Sequence, residues 1–133
     1  MKNIFFTLLA SFFILSCTAQ DKQPATVKTL TPTAFKQKEL NRKAMLVDVR
    51  TPEEFSEGHL DGAVNSDFRS GAFAKEIQTW NKDKTYYLYC ASGNRSGKAA
   101  ELMKEAGFKH IYNIGAYQEL KEAGIPHEKA TKQ

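Results

Sequence analysis

Short apolar runs alternate with segments of helical spacing along residues 26–126, and this alternation constrains the fold more than any other feature. Five runs have the length and composition of β-strands: 26–30, 44–49, 62–67, 85–90 and 110–114. Helical patterns follow them at 31–40, 51–58, 70–80, 96–107 and 116–126. Strands joined through helices run parallel in a sheet that has helices on both faces. The sequence therefore predicts an α/β domain with a five-stranded, mainly parallel sheet.

The N-terminus carries the pattern of an export signal. An uncharged, mostly apolar run at residues 4–15 is shorter than the ~20 residues of a membrane span and fits a signal peptide. It ends in "ILSC", which resembles the bacterial lipobox, so residues 1–16 are predicted to be a signal peptide and Cys17 a lipidated residue. Two alternatives remain: an ordinary signal peptide cleaved near Ala19, and an uncleaved anchor.

The rest of the chain has the size of one domain. Residues 17–27 are predicted to be a tether, 28–128 the folded domain and 129–133 a tail. With a lipid anchor at Cys17, we expect a monomer in the bacterial cell envelope, with the domain in the periplasm. The net charge is +4, but no basic block is interleaved with aromatic residues, so nucleic-acid binding is not predicted.

The chain has two cysteines, so lipidation of Cys17 leaves Cys90 as the one thiol of the domain, with no partner for an internal disulfide. The three histidines, His59, His110 and His127, are isolated in the sequence, and no metal or cofactor site is predicted. A single thiol in an exported protein is a liability unless it is buried or used.

Cys90 stands at the carboxyl end of the strongest strand, which is where ligands bind in parallel sheets. The loop that follows consists of Ala91, Ser92, Gly93, Asn94 and Arg95. If this loop curls, its N–H groups form an anion nest, to which the next helix adds about +0.5 charge. Such surroundings lower a thiol pKa from ~8.5 to ~3.5–7.5. The sequence favours a nucleophilic thiolate over the alternative, a buried cysteine that caps a core strand.

Three stretches resemble the rhodanese family: "LVDVRTPEEFSEGHLDGAVN" (46–65), "YLYCASGNRSGKAAELMKEAGF" (87–108) and "IYNIGAYQELKEAGIP" (111–126). The resemblance implies a rhodanese-like fold and a thiosulfate sulfurtransferase. In such an enzyme Cys90 takes sulfane sulfur from a donor and passes it to cyanide or a thiol. The resemblance also implies that residues 91–95 cradle the persulfide and that Arg95 closes the loop and orients the donor anion. The alternative is a module that carries a persulfide or binds a partner without turnover.

Two details of the loop bear on this resemblance: the number of residues between Cys90 and Arg95, and the identity of residue 91. Related dual-specificity phosphatases have five residues between cysteine and arginine, whereas this chain has four, Ala91 to Asn94, which favours a persulfide over a phosphoryl group. Ala91 stands where many relatives carry a basic residue, so the preferred donor is left open.

Asp48 and Arg50 end the second strand and have two interpretations. They could charge the rim of the pocket. The interpretation that we favour is structural, with Asp48 accepting hydrogen bonds from loop amides and Arg50 pairing with Glu54. His59 is also predicted to be structural, because a nucleophile already held as a thiolate needs no base.

Overall fold

The computed structural model describes residues 25–38 and 43–130. The strands are β1 (Val27–Thr29), β2 (Met45–Asp48), β3 (Gly58–Leu60), β4 (Val64–Asn65), β5 (Thr85–Cys90), β6 (His110–Ala116) and β7 (His127–Lys129). The helices are α1 (Pro32–Lys36), α2 (Pro52–Ser56), α3 (Ala72–Glu76), which continues into a 3₁₀ turn at Ile77–Thr79, α4 (Asn94–Glu105) and α5 (Tyr117–Glu122).

The predicted signal peptide, Cys17 and most of the predicted tether lie outside the described residues. Within the described ranges, no helix has both the length and the apolar character needed to cross a bilayer.

The main sheet has five strands in the order β1-β6-β5-β2-β4, and every neighbouring pair is parallel. The predicted α/β fold with a parallel sheet and covering helices is therefore confirmed. β5 lies in the middle, between β6 and β2. Its carboxyl end, which carries Cys90, meets the ends of both neighbours, where the pairs Cys90↔Ala116 and Asp48↔Tyr89 form.

Alternation along β5 divides the core into two halves, because successive side chains of a strand point to opposite faces. Leu88 and Cys90 belong to a cluster with residues of α3 and α4. Tyr87 and Tyr89 belong to a second cluster on the other face, with residues of α1 and α5. The two-residue alternation of side chains along β5 therefore buries the tyrosines under α1 and α5 and directs the thiol toward α4.

A second, antiparallel sheet of two short strands, β3 and β7, was not predicted from the sequence. It pairs Gly58 with Lys129 and Leu60 with His127, so β7 reaches one residue into the segment predicted to be a tail. Gly58 has a φ of 147°, and a Cβ there would lie 2.9 Å from the Tyr117 hydroxyl oxygen. Only glycine fits at this close approach.

The start of α2 confirms the predicted capping box. The Thr51 hydroxyl accepts a hydrogen bond from the Glu54 amide, the Glu54 carboxylate accepts one from the Thr51 amide, and Pro52 opens the helix. This reciprocal pair fixes the position of the Glu54 carboxylate on the side of α2 that faces α4.

A buried hydrogen bond from β3 to β5 helps to join the two-stranded sheet to the main sheet. The Leu60 amide donates to the Tyr89 hydroxyl at 3.0 Å, and both side chains are fully buried. Tyr89→Phe leaves that amide without its partner, so we expect the free energy of unfolding to fall by about 1–3 kcal/mol in urea titrations.

Tyr87→Phe is the matched control for this prediction. Tyr87 lies on the same strand and is also buried, but among the described residues its hydroxyl makes no such bond. We expect Tyr87→Phe to change the free energy of unfolding by less than about 0.5 kcal/mol. Equal losses in the two variants would contradict a specific role for the Tyr89 hydroxyl.

Candidate active site

Cys90 is the last residue of β5, and its side chain is 0% exposed. It packs in the core cluster that includes Val49, which directly follows β2, and Ala99 of α4. Since the Val49 amide donates to the Tyr89 carbonyl oxygen at 3.0 Å, β2 and β5 stay paired up to the cysteine. The nucleophile predicted from the sequence thus lies at the rigid carboxyl end of the central strand.

The loop after Cys90 turns back over the sulfur. Gly93 adopts a left-handed conformation, with a φ of 86°, and its amide donates to the Cys90 Sγ at 3.0 Å. A Cβ at Gly93 would approach the Gly115 Cα to 3.4 Å, so both the dihedral angle and the neighbouring strand call for glycine. Ala91, Ser92 and Asn94 are exposed, and α4 begins at Asn94, so Asn94 and Arg95 lie in the first turn of the helix and not in the loop as predicted.

The hydrogen bonds of this loop lower the pKa of the Cys90 thiol below its ordinary value. Burial alone would raise that pKa, because it disfavours the charged form. The Ser96 hydroxyl and the amides of Ser96, Ser92 and Gly93 act in the opposite direction, and their combined effect outweighs burial. The loop therefore stabilises a negative charge on sulfur.

Arg95 makes a two-pronged ion pair with Glu54. Its two terminal nitrogens lie 2.7 and 2.9 Å from the two carboxylate oxygens of Glu54. The hydrogen bonds from Arg95 hold the pKa of Glu54 at about 2 and raise the pKa of Arg95 above its ordinary value. Arg95 thus ties α4 to the capping box of α2, and its guanidinium is engaged by a carboxylate of the chain itself.

Asp48 and Arg50 pair with each other in the interior, 0% and 5% exposed, and therefore do not form an exposed rim. The Asp48 carboxylate accepts hydrogen bonds from the Arg50 guanidinium, at 2.6 Å, and from the Arg50 amide. Arg50 also donates to the Gly58 carbonyl oxygen and lies 4.1 Å from the centre of the Tyr117 ring. The predicted pairing of Arg50 with Glu54 is wrong, because Arg95 occupies Glu54 and Asp48 is the nearer buried partner.

Sequence reasoning missed Ser96 and Asn113, which complete the site. The Ser96 hydroxyl oxygen lies 3.5 Å from the Cys90 Sγ and 2.8 Å from the Asn113 Oδ1. The Asn113 Nδ2 donates to the Gly93 carbonyl oxygen at 3.3 Å, so β6 holds the loop from below. The signal for Ser96 is its place in the first turn of a helix that follows a cysteine loop, but nothing local marks Asn113.

An open groove of about 570 Å³ begins at the loop and runs along α4. Its walls are mostly apolar and include Phe68 and Leu102, and Lys98, Glu101 and Glu105 line it as well. Within residues 25–38 and 43–130, no three His, Cys, Asp or Glu side chains are grouped to hold a metal ion.

Comparison with known proteins agrees with the α/β fold. The protein-family model for the rhodanese-like domain matches residues 31–123. The chain is 40% identical over 108 residues to the uncharacterized protein YqhL of Bacillus subtilis, across 80% of this chain and 82% of that protein. It is 32% identical over 83 residues to the thiosulfate sulfurtransferase PspE of Escherichia coli, across 62% of this chain and 77% of that protein.

Solved structures resemble the fold as well. A rhodanese with anions from E. coli is 30% identical, with a TM-score of 0.54, and the match covers 65% of this chain and 98% of that one. A rhodanese-related protein from Thermoplasma volcanium is 25% identical, with a TM-score of 0.65, and the match covers 76% of this chain and 97% of that one. With its five-stranded parallel sheet and its cysteine loop before α4, the chain belongs to the rhodanese-like domain family.

Proposed function

We propose that this protein is a sulfurtransferase that moves sulfane sulfur from a donor such as thiosulfate to a thiophilic acceptor through a persulfide on Cys90. The observation that carries the proposal is the Gly93 amide directed at the Cys90 Sγ, 3.0 Å away, in a loop whose amides stabilise charge on sulfur. Relatives named as thiosulfate sulfurtransferases, at 32% and 35% identity, support the same chemistry.

In the first step the Cys90 thiolate attacks the outer sulfur of thiosulfate. The new S–S bond forms as the old one breaks, and sulfite leaves with the bonding electron pair. The terminal sulfur of the persulfide then carries the negative charge, and the loop amides are the groups that stabilise it. Cyanide or a thiolate attacks that terminal sulfur in the second step, and the Cys90 thiolate is regenerated. Double displacement of this kind gives ping-pong kinetics.

The burial of Cys90 has a consequence for access. Because the side chain is 0% exposed, a donor reaches the sulfur only when the loop shifts. The exposed residues there are Ala91 and Ser92 of the loop and Asn94 at the start of α4. The same burial favours a second candidate function, a module that holds a persulfide and releases it slowly or only to a bound partner. Steady-state turnover with cyanide or a thiol separates this module from an enzyme.

The location of the protein belongs to the same proposal. A lipid on Cys17 would anchor the domain to a membrane of the bacterial cell envelope, with the site facing the periplasm. Cleavage after residue 16 together with a lipid on Cys17, detected by mass spectrometry of the membrane fraction, is the direct test.

Covalent sulfur uptake tests the proposed mechanism. Every variant carries Cys17→Ala in the full chain, so that Cys90 is the only thiol. After incubation with thiosulfate we expect the intact mass to increase by one sulfur atom, and cyanide should return it to its starting value with release of thiocyanate. Cys90→Ser should gain nothing. If the chain with Cys90 intact gains no sulfur from thiosulfate or from an organic persulfide, the proposed function is wrong.

The Arg95–Glu54 ion pair makes the free energy of unfolding depend on pH in the acid range. Because the pKa of Glu54 is about 2 in the folded chain and 4.5 when unperturbed, this pair contributes stability that is complete above pH 4.5 and lost as the pH falls toward 2. Glu54→Gln should lower the free energy of unfolding at pH 7 by about 1–2 kcal/mol, since the pair is partly exposed. The gap between wild type and variant should close on acidification in urea titrations.

Glu57→Gln is the matched control, because Glu57 is exposed at the end of the same helix. Its difference from the wild type should be small and should not change between pH 7 and pH 3. A gap between wild type and Glu54→Gln that stays constant over this range would contradict the assigned ion pair.

A further inference from the structure

The Ser96 hydroxyl has one proton and two neighbours that can accept it. The Asn113 Oδ1 lies 2.8 Å from the hydroxyl oxygen and the Cys90 Sγ lies 3.5 Å from it. A carbonyl oxygen has no proton to donate, so in this arrangement the hydroxyl donates to Asn113 and presents a lone pair to the sulfur. That arrangement suits an uncharged sulfur, since a thiol S–H can donate to the hydroxyl oxygen.

The orientation of the Asn113 amide is fixed from both ends. Its Oδ1 accepts a second hydrogen bond from the Gly115 amide at 3.1 Å, and its Nδ2 donates to the Gly93 carbonyl oxygen at 3.3 Å. A flipped amide would set a donor against the Gly115 N–H. When the Ser96 hydroxyl turns away, Oδ1 keeps the Gly115 bond, so the turn leaves no buried acceptor unpaired.

The register of β6 places Asn113 where it can do this. Asn113 lies opposite Leu88, and an irregularity in the ladder immediately follows, so that Gly115, and not Ile114, lies opposite Tyr89. Paired residues of a sheet share a face, and Leu88 belongs to the half of the core that contains Cys90. The Asn113 side chain therefore lies on the α4 face, below the loop.

We propose that Asn113 is a positioning residue that controls the charge state of Cys90 by competing with the sulfur for the Ser96 proton. The hydroxyl donates to Asn113 when Sγ is uncharged and turns to Sγ when Sγ is a thiolate. The role of this rotation in turnover rests on the proposed function, whereas its effect on the thiol does not.

The rotation follows the sulfur through the proposed cycle. The attacking thiolate receives the Ser96 proton as a hydrogen bond, without proton transfer. Once a persulfide forms, the negative charge resides on the terminal sulfur, and the Sγ atom is a neutral disulfide-type sulfur. The hydroxyl then returns to Asn113, which gives it a strong acceptor in the loaded state. Asn113 thereby favours the uncharged forms of Sγ, which include the persulfide that the enzyme carries between its two half-reactions.

The charged groups at this end of the sheet are largely paired with one another. Asp48 pairs with Arg50 from the end of β2, and Glu54 of α2 pairs with Arg95 of α4. Lys98, also of α4, lines the groove beside the loop, and Asp67 and Arg69 follow β4. The titratable side chains of β6 are His110, at the far end of the strand, and Tyr112, which packs in the other half of the core. β6 therefore acts on Cys90 through the uncharged Asn113.

The test is the pH profile of Cys90 alkylation by iodoacetamide, since the thiolate is the reactive form. All variants are made in the full chain with Cys17→Ala. Asn113→Leu removes the competing acceptor, so the hydroxyl donates to sulfur at all times. On the acid limb of the profile we expect the alkylation rate to rise about threefold, the size expected of a hydrogen bond of ordinary net strength. In the Ser96→Ala background, Asn113→Leu should give no rise.

A merely structural role of Asn113 predicts a change that does not depend on Ser96. Loosening the loop would expose the buried sulfur or withdraw its amides, and either effect would change the alkylation rate equally with and without the Ser96 hydroxyl. A rate that falls in both backgrounds, rises equally in both, or changes in neither overturns the proposal. These outcomes do not depend on sulfur transfer, so they can be distinguished from a failure of the proposed function.

Two further variants keep the test decisive. If Asn113→Leu does not fold, Asn113→Asp keeps the size of the side chain and binds the hydroxyl more strongly, while the loss of the Nδ2 donor to the Gly93 carbonyl oxygen is the same in both backgrounds. Its slowing of alkylation should then be larger when Ser96 is present than in the Ser96→Ala background, and an equal slowing overturns the proposal. Asn65→Leu is the matched control, because Asn65 donates to backbone oxygens of Asp48 and Arg50 at the same end of the sheet. It should leave the alkylation profile unchanged.

Discussion

The structure depends on one contact, the amide of Gly93 directed at the sulfur of Cys90. This contact exists because a buried strand ends at the cysteine and the chain reverses through a left-handed glycine to begin α4. The sheet supplies rigidity on one side, and the first turn of a twelve-residue helix supplies N–H groups on the other. The rest of the domain keeps these two elements at the separation that lowers the pKa of the Cys90 thiol below its ordinary value.

Two side-chain contacts from distant parts of the chain maintain that separation. Glu54 reaches Arg95 across 41 residues of sequence, and Asn113 reaches the Gly93 carbonyl oxygen across 20. The first is ionic and lies at the partly exposed end of the loop, while the second is neutral and lies beneath it. The distribution is physically reasonable, since a charged side chain under the loop would act directly on the sulfur, whereas the amide holds the backbone without adding a net charge.

The sequence predicted the elements that depend on local pattern. The alternation of apolar runs and helical segments was sufficient for the parallel sheet, and the place of Cys90 at the end of β5 identified the loop. The β3–β7 sheet could not be predicted, because each strand has three residues and their pairing depends on Tyr89 and on the close approach at Gly58. The sequence predicted that Arg50 pairs with Glu54, whereas the structure pairs Glu54 with Arg95. This difference was missed because spacing along the chain does not reveal which guanidinium is nearer in space. Asn113 was missed for the same reason, because its contacts with Ser96 and with the Gly93 carbonyl oxygen are tertiary, whereas Ser96 has a local signal in its place in the first turn of the helix after the cysteine loop.

The division of the core by the alternation of β5 has a consequence for how such a domain can change. Cys90 faces α3 and α4, whereas Tyr87 and Tyr89 face α1, α5 and the small sheet. Substitutions that share no partners are close to additive in their energetic effects. We therefore expect substitutions on the side built on α1 and α5 to leave the immediate surroundings of the sulfur largely unchanged, even where they change the stability of the domain. A domain divided in this way can change what binds to one face while the residues around the sulfur on the other face stay the same.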